Sequence, residues 1–207
     1  VSKEEDCIKL IQTTIKEFDK IDILINNAGI SMRGLFKDLN IEVIKKLMDI
    51  NFYGAVYTTH AALPYIIQSK GSIVGISSIA GYRGLPGRTG YSSSKFALQG
   101  FLEALRIELK DDQVNVMWVA PGFTSSSIRE NALNQDGNKQ SENPMDENKM
   151  MSSETCALHI LKSVYKRKRT LVLTATGKQT VFLSKFFPSI ADKLIHKFYF
   201  KNKALIK

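Results

Sequence analysis

Thiols, prolines and C-terminal acids are scarce in this 207-residue chain. Cys7 and Cys156 are its only cysteines, and neither stands at metal-ligand spacing from a second Cys or a His, so neither a disulfide framework nor a structural zinc is indicated. His60, His159 and His196 lack carboxylates or thiols at useful spacing and read as structural, which leaves no metal site to expect. With Gly 13 and Pro 5 the chain is neither collagen-like nor dominated by linkers. No Asn-x-Ser/Thr acceptor occurs, and no uninterrupted apolar run approaches the roughly 18 residues of a membrane-spanning helix. The first residues, Val1-Ser2-Lys3-Glu4-Glu5-Asp6, are acidic and helix-like rather than a signal peptide. A soluble, cytoplasmic protein is the expectation.

What is present is ordinary for one globular domain: 43% hydrophobic and 24% charged residues, in a chain close to the roughly 100–200 residues typical of a single domain. The charge is unevenly spread. Of 29 Lys and Arg against 20 Asp and Glu, 12 basic residues lie from Leu161 onward, where Asp192 is the sole acid. A basic end of this kind can attract a membrane surface or nucleic acid, although solvated lysine faces are commoner. No nucleic-acid-binding motif accompanies the charge, so no nucleic acid partner is expected.

Hydrophobic spacing predicts alternating helices and strands. Ile8, Ile11, Ile15 and Phe18 fall on one face of a helix over residues 3–18, with Ser2 as its cap. Ile21 to Asn26 reads as a strand entering a loop at Ala28-Gly29, and Ile41 to Gln68 as a long helix bent near Pro64. Ser72 to Ser77 is a second strand, Tyr91 to Lys110 a helix, Val114 to Val119 a third strand stopped by Pro121-Gly122. A helix over Ser152 to Tyr165 and a strand over Thr170 to Thr174 complete a parallel sheet wrapped by helices. Residues 125–150, rich in Asn and poor in large apolar side chains, are expected to form a mobile surface lid. Residues 178–207 should form one or two basic amphipathic helices broken at Pro188.

The sharpest local signal is Tyr91-Ser92-Ser93-Ser94-Lys95, because residues four apart share a helical face and a neighbouring ammonium favours ionisation of a phenol. Alone, Tyr-x-x-x-Lys is a common accident of amphipathic helices. Four further landmarks stand in order around it: Asn26-Asn27-Ala28-Gly29 after a strand, Asn51 in the following helix, Ser78 thirteen residues before Tyr91, and Pro121-Gly122 after the next strand. Taken singly, each could be a turn former or a satisfied polar residue. As an ordered set they resemble the short-chain dehydrogenase/reductase family over nearly the whole chain, closest in style to members acting on hydroxysteroids, retinoids or other lipid-like carbonyls.

The resemblance implies an α/β, Rossmann-like single domain over residues 1–207 that interconverts a secondary alcohol and a carbonyl with NADP or NAD, NADP slightly favoured. It makes Tyr91 the proton donor or acceptor, Ser78 its partner on the substrate oxygen, and Lys95 the cation that lowers the Tyr91 pKa and binds the nicotinamide ribose. Asn51 would hold a water connecting Lys95 to solvent. Asn26, Ala28 and Gly29 would shape the cofactor pocket, and Pro121, Gly122 and Ser126 would contact the carboxamide. A homodimer or homotetramer is the implied assembly.

The family's Thr-Gly-x-x-x-Gly-x-Gly turn, which holds the cofactor pyrophosphate at a helix N-terminus, does not occur in this chain. Val1-Ser2 resembles the tail of the family's Asp-Val-Ser/Thr element, so the sequence reads as a member truncated at its N-terminus, with about four of seven strands, and with the strand at Ile21 to Asn26 as an apolar edge. Two rival readings stand beside the enzyme: a catalytically silent binding or dimerisation module, and peripheral membrane contact through residues 178–207, where phenylalanines interleave with lysines. For the latter, packing of these helices on the sheet or on a partner subunit is the commoner outcome.

Overall fold

The β-branched runs lie side by side in one parallel sheet in a computed structural model that describes residues 1–140 and 150–206. β1 (Ile23–Asn26), β2 (Ser72–Ile76), β3 (Asn115–Ala120) and β4 (Thr170–Val172) follow one another in chain order. Ile23 pairs with Ser72, Ser72 with Asn115, and Trp118 with Thr170. All six residues of β3 are buried, as expected of a central parallel strand covered on both faces. β1 is the edge of this sheet, with Ile23 and Ile25 exposed.

Side-chain alternation sorts the core into two layers. Ile73, Val116 and Trp118 point to one face, where α1 (Glu4–Phe18), α3 (Gly54–Ser69) and α4 (Thr89–Glu108) supply Ile11, Ile66, Leu98, Leu102 and Leu105. Val74, Met117 and Val119 point to the other, against Cys156 and Val164 of α5 (Ser153–Tyr165). Each fully buried aliphatic of these layers contributes about 1.5–3 kcal/mol. Gly75 lets α4 approach β2 closely, since a Cβ there would lie 2.3 Å from Leu102 Cδ1. A third cluster, Met32, Val43, Leu47 and Leu133, joins the loop after β1 to α2 (Ile41–Met48).

Several local expectations change. The buried stripe of α1 is Cys7 and Ile11 with Ile15, while Ile8 and Phe18 are exposed, because the helix meets α3 along that narrower line. Its N-cap is Lys3, with no side-chain cap, rather than Ser2. The long helix is interrupted not at Pro64, which stays inside α3, but by a π-helical turn over Asp49–Tyr53. Of the expected lid, residues 141–149 lie outside the described residues. The stretch before them is pinned: Ala132 and Leu133 are buried, and Leu133 exchanges backbone hydrogen bonds with Ser31 (2.9 Å) and Arg33 (2.8 Å).

The basic end forms α6 (Ala175–Phe186) and α7 (Pro188–Tyr199), divided before Pro188, which opens α7 where its missing N–H is harmless. A short antiparallel hairpin follows, β5 (Phe200–Lys201) and β6 (Ala204–Leu205), which no turn signal announced. Among the described residues no helix is long and apolar enough to cross a membrane, and no group of His, Cys, Asp or Glu could hold a metal ion.

Candidate active site

Parallel strands end on the same side, and the carboxyl ends of all four meet a cavity of about 690 Å3. Asn27 and Gly29 follow β1, Ile76 to Ser78 close β2, Pro121 and Gly122 follow β3, and Thr174 follows β4. A second, open cleft of about 410 Å3 lies at the opposite end of the sheet among Lys70, Arg106, Lys110 and Arg167, and contains none of the residues that the motifs single out.

Tyr91 and Lys95 enter the cavity from successive turns of α4. The Tyr91 hydroxyl shares a hydrogen bond with Ser78. Ser78 is also held by the backbone, because its Oγ accepts from Ala80 N (3.1 Å) and caps the 3₁₀ turn Ile79–Gly81. Ser77 ties the same strand end to α4, accepting from Gln99 Nε2 at 2.8 Å. Lys95 is 3% exposed; its Nζ donates to Ile76 O at 2.8 Å and sits 5.8 Å from the centre of the Tyr91 ring. Burial lowers its pKa to about 8.

The expected lowering of the Tyr91 pKa by Lys95 is not what the structure gives. Desolvation pushes the phenol above its ordinary value; the Ser78 hydrogen bond and then the charges of Arg88 and Arg129 oppose that rise. Tyr91 keeps some accessible surface because it faces the cavity, yet protein atoms surround it on every other side, and this dry setting outweighs the cations.

Asn51 does not line the cavity. Within the π turn its Oδ1 accepts from Ile30 N (2.8 Å) while Nδ2 donates to Ile30 O and Ser94 Oγ, both at 2.9 Å, so it clamps the loop after β1 onto α4. Gly29 lies over this clamp: a Cβ there would come 3.3 Å from Asn51 Oδ1 and 3.4 Å from Lys95 Nζ. Asn26 and Ala28, expected in the cofactor pocket, are not part of its lining. Asn26 instead donates to Thr59 Oγ1 (2.9 Å) and accepts from the Thr58 hydroxyl (2.6 Å), fastening β1 to α3, and Ala28 is exposed. Pro121, Gly122 and Ser126 do line the cavity. Gly122 leaves no room for a side chain, since a Cβ would meet Thr174 Oγ1 at 2.2 Å.

Residues absent from the motif reading complete the walls. Leu85, Ile128, Leu194 and Phe198 make one side apolar, and Arg88, Arg129 and Tyr199 add polar atoms. Arg88 stands three residues before Tyr91 but just ahead of α4, so helical spacing does not announce it. Tyr199 had no local signal either, being brought in by tertiary packing of α7.

The geometry around Lys95 suits a nicotinamide riboside. Gly29 presents bare backbone beside Lys95 Nζ, whose remaining N–H groups can reach ribose hydroxyls, while Pro121, Gly122 and Ser126 border the far side. The residues thus fit the reactive half of the cofactor.

A family model described as short chain dehydrogenase matches residues 1–137. The chain is 35% identical over 196 residues to the dehydrogenase/reductase SDR family protein 7-like of Dictyostelium discoideum, covering 94% of this chain and 60% of that protein. It is 39% identical over 158 residues to dehydrogenase/reductase SDR family member 7B of Rattus norvegicus (76% and 49%), and 34% identical over 202 residues to 11-beta-hydroxysteroid dehydrogenase 1A of Arabidopsis thaliana (93% and 57%). It therefore spans about half to three fifths of the length of these relatives. A solved short chain dehydrogenase from Burkholderia cenocepacia, in complex with NADP, shares the fold with a TM-score of 0.77 at 18% identity, covering 94% of this chain and 75% of that one. Together with the parallel sheet and the cavity at its carboxyl edge, the sequence match makes this chain a member of the short-chain dehydrogenase/reductase family of oxidoreductases.

Proposed function

We propose that the protein interconverts a secondary alcohol and a carbonyl with NADP or NAD, Tyr91 serving as acid and base. The observation that carries this reading is the Tyr91 hydroxyl, hydrogen-bonded with Ser78 inside the strand-end cavity, with buried Lys95 one turn further along α4. When bound, the nicotinamide ring supplies or accepts the hydride. In the reducing direction Tyr91 gives its proton to the substrate oxygen, and Ser78 donates a hydrogen bond to the same oxygen and stabilises charge developing there. Lys95 holds the ribose and keeps a positive charge beside the phenolate that remains. In the oxidising direction the proton returns to Tyr91.

The apolar wall of Leu85, Ile128, Leu194 and Phe198 favours a hydrophobic, lipid-like substrate. Two surfaces support contacts of the whole molecule. Tyr53, Phe96 and Ile107 are exposed on and beside the helices that carry the site, which suits a homodimer or homotetramer packed through them. Phe182, Phe186 and Phe187 form an exposed cluster on the lysine-rich end, with ring centres 5.0 and 6.2 Å from Phe182, which suits peripheral membrane contact.

The test is turnover by the full-length protein of a panel of hydrophobic secondary alcohols and ketones with each cofactor, followed by nicotinamide absorbance. Tyr91→Phe should lower kcat by roughly 10²–10⁴-fold while cofactor binding persists. A variant with near wild-type turnover would remove Tyr91 from the reaction. Cofactor binding without turnover across the panel would favour the silent binding module.

A further inference from the structure

Three cationic side chains line the cavity, Arg88, Lys95 and Arg129, and no Asp or Glu is among its described lining residues. Arg88, which precedes the first residue of α4, stands three positions before Tyr91, and Lys95 stands four after it. Lys95 is on the side of Gly29, where a ribose fits. Arg88 Nη1 donates to the buried Ser31 Oγ at 2.9 Å, and the guanidinium hydrogen-bonds the hydroxyl of Tyr199, from the end of α7.

Those two neutral oxygens orient the guanidinium without neutralising it. Among the described residues no carboxylate pairs with Arg88; the ion pairs present are Lys20 with Asp22, Lys45 with Glu42 and Arg83 with Asp192. A partly buried guanidinium has five N–H donors in a fixed fork that matches a carboxylate, and charges removed from water are ordinarily matched by an opposite charge. The hairpin packs against the residue before Arg88, since a Cβ on Gly87 would lie 2.5 Å from Leu205 Cδ2. The same cavity also carries apolar lining, including Leu85, Leu194 and Phe198.

We propose that Arg88, set by Ser31 and Tyr199, is a binding site for a carboxylate on the substrate, so that the preferred substrates are hydrophobic hydroxy acids or oxo acids rather than neutral alcohols and ketones. The proposal rests on the reading of this cavity as the catalytic one. Arg88 is then a specificity residue: it binds a group of the substrate distinct from the reacting oxygen, which stays with Tyr91 and Ser78.

The test uses a fluorescent polyene fatty acid, cis-parinaric acid, and its methyl ester as matched probes of the full-length protein, so it does not require turnover. The wild type should bind the acid roughly ten- to hundredfold more tightly than the ester. Arg88→Met should bind the ester as the wild type does and lose the preference for the acid. Equal affinities in the wild type, or a preference that survives Arg88→Met, would overturn the site. Should Arg88→Met bind neither probe, Arg88→Lys decides instead: a reduced acid preference upholds the site, and an unaltered one overturns it. If Arg88→Met weakens NADP binding and leaves the acid preference intact, Arg88 serves the cofactor and the proposal fails. Tyr91→Phe separates the two readings, because it should abolish turnover and leave the acid preference in place.

Discussion

Lys95 carries a cost that its neighbours do not share. Its amine is buried and its pKa lowered to about 8 from 10.5, so below pH 8 the folded state holds a charge that the unfolded state would solvate freely. That difference corresponds to about 3 kcal/mol. The folded pKa lies below the unfolded one for a base, so the penalty is full at pH 7 and fades as pH rises from 8 toward 10.5. Lys95→Met is therefore expected to be more stable than the wild type in denaturant melts at about pH 7, with the advantage shrinking by about pH 10, while turnover is lost. A constant difference across that range would show that burial does not lower the Lys95 pKa, the amine titrating in the folded state as it does in the unfolded one.

Larger elements hold these side chains in place, and glycines decide how closely the elements approach. At Gly81 an added Cβ would meet Gln99 Nε2 at 2.5 Å, Ser77 Oγ at 2.7 Å and the backbone Lys95 O at 2.9 Å. Gly81→Ala should push the turn bearing Ser78 away from α4, costing about 1–3 kcal/mol and lowering Tm by roughly 2–12 °C. Catalytic loss should exceed what the stability change explains, because Ser78 moves relative to Tyr91. An unchanged Tm would mean that the turn and the helix separate freely.

What the sequence made legible belongs mostly to this scale. Tyr91 and Lys95 are local, one helical turn apart, and the strands announce themselves by β-branched runs, so the sheet and the helix that carries this pair could be read directly. Asn51 was singled out as the holder of a water, and its clamp on Ile30 depends on a π turn that periodicity cannot show. Asn26 was misplaced because a residue at a strand end can face the cavity or the neighbouring helix, and only the packing of α3 decides. Arg88 and Tyr199 meet across more than a hundred residues, and no local pattern encodes such a meeting.

At the scale of the whole molecule, α7 bears on two readings, packing on the domain and contact with a membrane surface. Leu194 and Phe198 line the cavity, as packing on the domain requires, yet both keep exposed surface, as do Phe182, Phe186 and Phe187. Lys178, Lys185, Lys193 and Lys197 stand on the same helices, and each could contribute about 1 kcal/mol at an anionic surface. Flotation with phosphatidylserine vesicles should recover the protein at low salt and release it at high salt, and cutting after Pro188 should weaken recovery. Equal recovery in the soluble fraction at both salts would end the membrane reading.

The order of the strands along the chain also sets a timetable. β1 to β4 are synthesised in the order in which they pair, so these four can assemble progressively as the polypeptide emerges from the ribosome. The wall built by Leu194, Phe198 and Tyr199 comes only afterwards, and Leu205 later still. A nascent chain can thus own four paired strands with Tyr91 and Lys95 already in position while its cavity stands open on one side. The cavity wall is completed later in synthesis than Tyr91 and Lys95 are placed, and a protease trimming α7 would open it first.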